Sequence, residues 1–177
     1  MGMLTLRLLV AGCVLVPAVT AAQPRSDLED EDANTKLWRE LEVKLPPYPG
    51  SGNIIAFDVS AASSNRFYID PESISVGSDG VVRYTVVVRS PGGAENISYE
   101  GIRCETREQK YYAFGRRDGT WATARSSEWR YIEYKDINRQ HGVLYIDYFC
   151  PDKKKPVGSP KDIINRFKYG VPAKSIL

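Results

Sequence analysis

The segment Phe67–Ser90, FYIDPESISVGSDGVVRYTVVVRS, decides the fold. From residue 81 to residue 89 its side chains alternate between two faces, and one face is wholly apolar and aromatic: Val82, Tyr84, Val86 and Val88. This period of two is typical of a β-strand with one face on a core. Residues 77–80 (GSDG) supply turn formers, so the segment predicts an antiparallel hairpin. Pro71 cannot donate to a sheet ladder, so the Asp70-Pro71 pair predicts a break in the first strand.

Further strands and helices are predicted on both sides of this hairpin. Three segments favour strands: residues 54–59, 97–108 and 110–116, the last followed by an Asp-Gly turn signal. Apolar side chains recur at three- and four-residue spacings over residues 35–44, which favours a helix that Pro46 ends. Residues 136–150 fit both a helical face and a strand, and their length favours a helix. Ser159-Pro160 opens a final helix that Gly170 ends.

This pattern predicts an α+β fold, an antiparallel β-sheet of about five or six strands with short helices packed on it. A hydrophobic content of 42% over 177 residues is ordinary for one globular domain, which we place at residues 35–170. Residues 23–34 are acidic and almost free of apolar side chains, which predicts a solvated linker. Residues 171–177 are expected to form a C-terminal tail.

The N-terminus indicates export. Arg7 precedes an apolar run and the small residues Thr20-Ala21-Ala22, as in a secretory signal peptide over residues 1–22. A competing interpretation is a lipobox at Val10-Ala11-Gly12-Cys13, in which Cys13 would be lipidated. We favour cleavage near Ala22, which predicts a periplasmic protein; lipidation would predict a protein anchored to the membrane by its lipid.

Removal of the leader leaves two cysteines, Cys104 and Cys150. An even number in an oxidising compartment favours one disulfide. The alternative, a reactive thiol or a metal ligand, lacks a Cys-x-x-Cys pattern and has only His141 to support it. We therefore expect a bridge, and neither a metal nor a cofactor.

Charge and motifs narrow the classes of function. The chain has 24 basic and 22 acidic residues, so it lacks the basic field that nucleic-acid binding requires. No nucleophile elbow or phosphate-binding glycine loop occurs, and no enzyme activity is expected. Paired carboxylates such as Glu100 and Glu105 leave a cell-wall hydrolase as an alternative.

Two groups of side chains are candidates for a binding surface. Glu100 and Arg103 would lie on opposite faces of a strand, and Arg83 is a plausible partner for Glu100. These charges form either a cross-strand ion pair, which we favour, or a polar binding groove. Trp121 and Trp129 belong to an aromatic cluster, which we expect to be buried in a core. If exposed, these side chains would stack on a sugar or anchor a protein partner.

A set of motifs occurs in a fixed order along the chain: Trp38, Leu45-Pro46, Tyr68-Ile69-Asp70-Pro71, Val81-Val82-Arg83-Tyr84, Tyr99-Glu100-Gly101-Ile102-Arg103-Cys104, Trp121, Trp129 and Phe149-Cys150. Together they resemble the cryptic neisserial protein-like family, small exported proteobacterial proteins with no established activity. A looser similarity to the surface-adhesin protein E-like proteins implies an antiparallel sheet packed by helix and a bridge between the two cysteines. Neither family supplies catalytic residues.

The sequence thus predicts an exported, non-enzymatic envelope protein that binds another envelope protein or a glycan. The alternatives are a wall hydrolase that uses carboxylates and a structural homodimer formed through a sheet edge. Membrane attachment is expected only if Cys13 is lipidated.

Overall fold

The hairpin predicted around the Gly77–Gly80 turn forms the centre of the sheet in the computed structural model, which describes residues 37–133 and 140–171. Gly80 takes a left-handed φ of 75°, and the Gly77 N–H donates to the Val81 carbonyl across the turn. The predicted break near Asp70 is a register shift between Asp70 and Ser75 within one long strand. A β-bulge of this kind accommodates Pro71 and lets the strand continue.

Seven strands make one antiparallel sheet in the described part of the chain. They are β1 (Ile55–Phe57), β2 (Arg66–Val76), β3 (Val81–Arg89), β4 (Glu95–Arg103), β5 (Glu108–Gly115), β6 (Trp121–Thr123) and β7 (Arg130–Tyr131). The first six are ordered β1-β2-β3-β4-β5-β6 across the sheet, and β7 also pairs with β5. The predicted α+β class is confirmed, with slightly more strands than expected.

Helices cover the face of the sheet that carries Val82, Tyr84 and Val86, here called the helix face. A short helix, α1 (Gln140–Val143), continues as a π-helical segment (Leu144–Phe149), in which the Cys150 N–H donates to the Tyr145 carbonyl. The helix predicted over residues 136–150 is therefore confirmed from residue 140, and residues 136–139 lie outside the described residues.

The last helix, α2 (Pro160–Tyr169), begins and ends as predicted. Ser159 and Asp162 form a reciprocal capping box at its start, and Gly170 follows its end with φ 86°. Ile163 and Phe167 are buried against the helix face, where Phe167 stacks on Tyr148 with ring centroids 4.0 Å apart. This apolar stripe holds the helix on the sheet.

One predicted helix is wrong. Residues 37–44 contain no helix, and residues 38–50, here called the strap, run without regular secondary structure. The Leu41 N–H donates to the Asp79 carboxylate instead of to a helical carbonyl, and Leu41 and Leu45 remain 45% and 44% exposed. Contacts with the sheet therefore outweigh the helical spacing of the apolar residues. The strap packs on the second face, here called the strap face, against Tyr99, Tyr112, Ala113 and Trp121.

The expected disulfide joins Cys104, after β4, to Cys150, after the π-helical segment. Its Cα atoms are 5.5 Å apart, and both residues are fully buried. Because the bridge closes a separation of 46 residues, it restricts the unfolded chain and stabilises the fold by roughly 4 kcal/mol. The bridge ties the helical layer to the sheet.

Candidate functional site

The five predicted surface residues do not form one groove. Strand pairing sets Tyr84 opposite Glu100 and Arg83 opposite Gly101, so Glu100 lies on the helix face and Arg83 on the strap face. The predicted pairing of Arg83 with Glu100 is therefore wrong, because the two side chains leave the sheet in opposite directions. Arg103 pairs in register with Val81, also on the strap face, and its guanidinium contacts the exposed Glu105.

Arg83 belongs instead to a network of charges under the strap. Its Nη2 lies 2.6 Å from Oδ2 of Asp79 and 3.7 Å from Oε1 of Glu40. Lys110 contacts the other Glu40 oxygen at 2.8 Å, and the Tyr112 hydroxyl donates to Glu40 at 2.7 Å. Glu40, a strap residue, thus meets two cations and a phenol on the sheet below it. This network pins the strap to the sheet.

The pKa values of the two carboxylates reflect these contacts. Burial alone would raise the pKa of Glu40, but hydrogen bonds from Lys110 and Tyr112 and the Lys110 charge lower it below its usual range. Burial likewise opposes ionisation of Asp79, and hydrogen bonds from Arg83 and the Leu41 N–H lower its pKa overall. Both groups are therefore held as anions in the folded state.

Aromatic side chains seal the same interface. The Arg103 guanidinium lies 4.0 Å from the ring centroid of Trp38, and Trp38 meets Trp129 edge-on at 5.9 Å. The Trp129 indole donates to Glu40, and the Trp121 indole donates to the Pro46 carbonyl at 2.9 Å. Both predicted tryptophans are half-buried, and their polar atoms bond to the strap.

Glu100 occupies a buried cluster on the other face. It is 0% exposed, and its carboxylate accepts hydrogen bonds from Tyr84 and Ser98. His141 Nε2 lies 2.8 Å from the same carboxylate, and the Tyr111 ring packs edge-on against the imidazole. Burial and the neighbouring carboxylate raise the pKa of Tyr84 well above its usual range, so its hydroxyl remains a donor.

The Glu100–His141 pair was missed by sequence reasoning, although one signal was available. Glu100 and Ile102 are two residues apart on β4, so their side chains point to the same face of the sheet. The pairing of β3 with β4 places both on the face of Tyr84. A carboxylate at a core position requires a polar partner, and His141 is the sole histidine of the chain. The contact could not be predicted from local patterns because the two residues are 41 positions apart in the sequence.

A second missed feature is a cleft on the strap face, at the end of the strap. Its volume is about 550 Å³, and its walls come from residues 48–51, where the strap ends, and from the β3–β4 and β5–β6 turns. Val87 and Ile97 lie at its base, and three arginines line it together with one carboxylate: Arg89, Arg116, Arg117 and Glu95. We call this space the arginine cleft.

The walls of the arginine cleft are tied to each other. The Tyr48 hydroxyl donates to the Arg116 carbonyl at 2.9 Å, which joins the strap to the β5–β6 turn. Backbone hydrogen bonds close both turns, with the Ser90 and Arg116 N–H groups as donors. A Cβ on Gly115 would lie 2.7 Å from the Tyr48 hydroxyl oxygen, so glycine permits this approach. The cleft is preformed.

Metal ligands and membrane spans give no further candidate site. Within residues 37–133 and 140–171, no cluster of three or more His, Cys, Asp or Glu side chains could hold a metal ion. None of the helices described is long and apolar enough to cross a bilayer. The predicted signal peptide, the acidic linker and Cys13 lie outside the described residues.

Fold and site together define a disulfide-bridged antiparallel-sheet protein with one helical face, one strapped face and a preformed cleft. The profile of the CNP1-like family matches residues 33–168, and the chain belongs to this family, as the sequence motifs indicated. Cryptic neisserial protein 1 of Neisseria gonorrhoeae (strain ATCC 700825 / FA 1090) is 27% identical over 117 residues, which cover 58% of each chain. The chain thus spans under two thirds of that relative. No solved structure matches the present chain.

Proposed function

We propose that this protein is an exported, non-enzymatic binding protein of the bacterial envelope, and that the arginine cleft holds its ligand. The observation that carries the proposal is the cleft itself, about 550 Å³ with walls fixed by hydrogen bonds. This volume falls within the range of about 300–1,000 Å³ that is usual for ligand sites, and preformed walls avoid an ordering cost on binding. The signal-peptide pattern and the disulfide support an exported location.

The same geometry gives less support to the alternatives. A wall hydrolase that used Glu100 would need this carboxylate to reach a substrate, but it is fully buried and bonded to three side chains. A homodimer through a sheet edge would need a long exposed strand. The outer strands β1, β6 and β7 have three, three and two residues, and the part of β2 beyond its pairing with β1 contains Pro71 and the register shift. Short edge strands, prolines and bulges all resist such pairing.

Filling the cleft tests the proposal. Ala94 is an exposed turn residue that lines the cleft, and Ala94→Trp would occupy its space. Ala62 is a matched control, because it is also exposed in a turn and its N–H also bonds to a nearby serine hydroxyl. Ala62→Trp therefore adds the same surface indole away from the cleft.

The three proteins would be compared by biolayer interferometry on immobilised envelope material: peptidoglycan sacculi, lipopolysaccharide, capsular polysaccharide and solubilised outer-membrane proteins. We expect the parent and the Ala62→Trp variant to bind to at least one fraction, and the Ala94→Trp variant not to bind to that fraction. Binding to none of these fractions, or binding that Ala94→Trp leaves unchanged, would overturn the proposal.

A further inference from the structure

We infer that the ligand of the arginine cleft is an acidic oligosaccharide, whose carboxylates are bound by Arg116 and Arg117. This inference rests on the proposed function and adds the chemistry of the ligand. It follows from the charge that the cleft leaves uncompensated and from the small apolar area at its base.

The charge of the cleft is positive after its internal pairs are counted. Arg89 forms an ion pair with Glu95 and lies 4.7 Å from the Tyr68 ring centroid, so its charge is already matched. Arg117 is exposed and has no ion pair among the residues that the structure describes. Arg116 is exposed too, with its carbonyl held by Tyr48 and Gly119.

One acidic neighbour, Asp118, reduces this excess without removing it. Its Oδ1 accepts hydrogen bonds from both the N–H and the hydroxyl of Thr120, and its charge interacts with Arg116 and Tyr48, although Asp118 itself does not line the cleft. Three arginines against Glu95 and Asp118 leave the cleft with a positive charge, and the exposed Arg116 and Arg117, consecutive residues of the β5–β6 turn, offer planar pairs of N–H donors to a ligand. Such pairs fit the two oxygens of a carboxylate.

The base of the cleft favours a sugar over a lipid. Val87 is 2% exposed, while Pro49, Ile54 and Ile97 are partly exposed, so the cleft has an apolar strip beside the Tyr48 ring among polar and charged walls. An acyl chain would bury apolar area only against this strip and would leave the charged walls of the cleft without a partner. The C–H face of a sugar ring needs only such a strip, while its substituents reach the polar rim.

The experiment measures binding of trigalacturonate by isothermal titration calorimetry at low and at physiological salt, with its fully methyl-esterified form as the uncharged counterpart. The protein variants are Arg117→Glu and Arg125→Glu. Arg125 is exposed, does not line the cleft and, like Arg117, lies in a loop. Because both variants replace an arginine with a glutamate, they change the net charge equally. A difference between them reports the site and not the overall field.

We expect trigalacturonate to bind the parent and the Arg125→Glu variant alike, and to bind Arg117→Glu at least about tenfold more weakly, because a charge-assisted pair is lost and a repulsion gained. The methyl ester should bind at least about tenfold more weakly than the acid. Arg117→Gln should fall between parent and Arg117→Glu, which separates charge from any defect in the turn.

Three outcomes of the trigalacturonate titrations would overturn the inference. They are equal affinity for the acid and its ester, equal losses in the two glutamate variants, and no binding of trigalacturonate by the parent. If the parent binds to an envelope fraction and the Ala94→Trp variant does not, the cleft remains the binding site and only the class of ligand is wrong. Dodecyl phosphate that binds more tightly than trigalacturonate would point to a lipid headgroup and would also overturn the inference.

Discussion

Nε2 of His141 lies 2.8 Å from Oε2 of Glu100, and this contact joins the helical layer to the middle of the sheet. Glu100 is 0% exposed and His141 only 6% exposed, so water cannot replace either partner. Tyr84 and Ser98 donate to the same carboxylate, so a buried polar cluster is fully bonded at Glu100. Such clusters fix the registry of packed layers but leave a costly group behind when one member is removed.

We therefore expect Glu100→Gln and His141→Gln each to lower the free energy of unfolding by about 2–3 kcal/mol, because each leaves a buried polar group with a poor partner. Urea unfolding at neutral pH measures the loss. The double variant should lose less than the sum of the two single losses, since both remove one interaction. The control Glu105→Gln changes a carboxylate that is 69% exposed and should stay within about 0.5 kcal/mol of the parent. Additive losses would contradict direct coupling.

The disulfide between Cys104 and Cys150 makes a second prediction. Cys104→Ser with Cys150→Ser should lower the free energy of unfolding by roughly 4 kcal/mol, because the unfolded chain regains the freedom of a long loop. Reduction of the parent should give a similar loss, and the intact mass of the unreduced protein should show two hydrogens fewer than the reduced form. Free thiols in the protein recovered from an envelope fraction would contradict the bridge.

Local patterns explain which parts of the fold were predictable. The alternation over residues 81–89 specifies a strand because the period of two leaves a single way to bury Val82, Tyr84 and Val86. Ser159-Pro160 specifies a helix start because cap and first turn lie within a few residues. In both cases the deciding interaction is short in sequence.

The strap and the arginine cleft were not predictable for the opposite reason. Trp38 donates to the carbonyl of Asp79, and Tyr48 to that of Arg116, across 41 and 68 residues. Local spacing favoured a helix over residues 35–44, but these distant partners hold the strap on the sheet without regular secondary structure. The charges of Arg83 and Glu100 could be placed on opposite faces only once the register of β3 with β4 was known.

Close packing at Gly101 gives a third prediction. A Cβ there would lie 2.5 Å from the hydroxyl oxygen of Tyr112 and 2.9 Å from the ring atom Cε2, so the Tyr112 side chain would have to move. Gly101→Ala should therefore cost about 1–3 kcal/mol of stability in urea unfolding. In a Tyr112→Ala background the same change should cost much less, because the clash is gone. Gly52→Ala, where the space is open, serves as the control and should change stability by less than about 1 kcal/mol.

The last prediction concerns pH and the strap. The pKa values of Glu40 and Asp79 are lowered in the folded protein from ordinary values of 4.5 and 3.8. A carboxylate with a lowered folded pKa binds protons more readily in the unfolded chain, so its stabilisation is complete above the ordinary pKa and is lost as pH falls through the folded pKa. Stability should thus decline as pH falls through about 4.5, the value at which Glu40 is half protonated in the unfolded chain.

Asp70 acts in the opposite direction, because burial raises its pKa and its protonation favours the folded state. The test is therefore the difference between two variants and not the whole acid profile. Glu40→Gln should reduce stability at pH 7 and flatten its decline between about pH 5 and pH 2. Glu42→Gln, an exposed strap residue outside the network, should leave both unchanged. Tryptophan fluorescence during urea unfolding reports the transition, since Trp38 and Trp129 lie at the network. Identical acid profiles for Glu40→Gln and the parent would contradict the assignment of Glu40 as the strap's anchor.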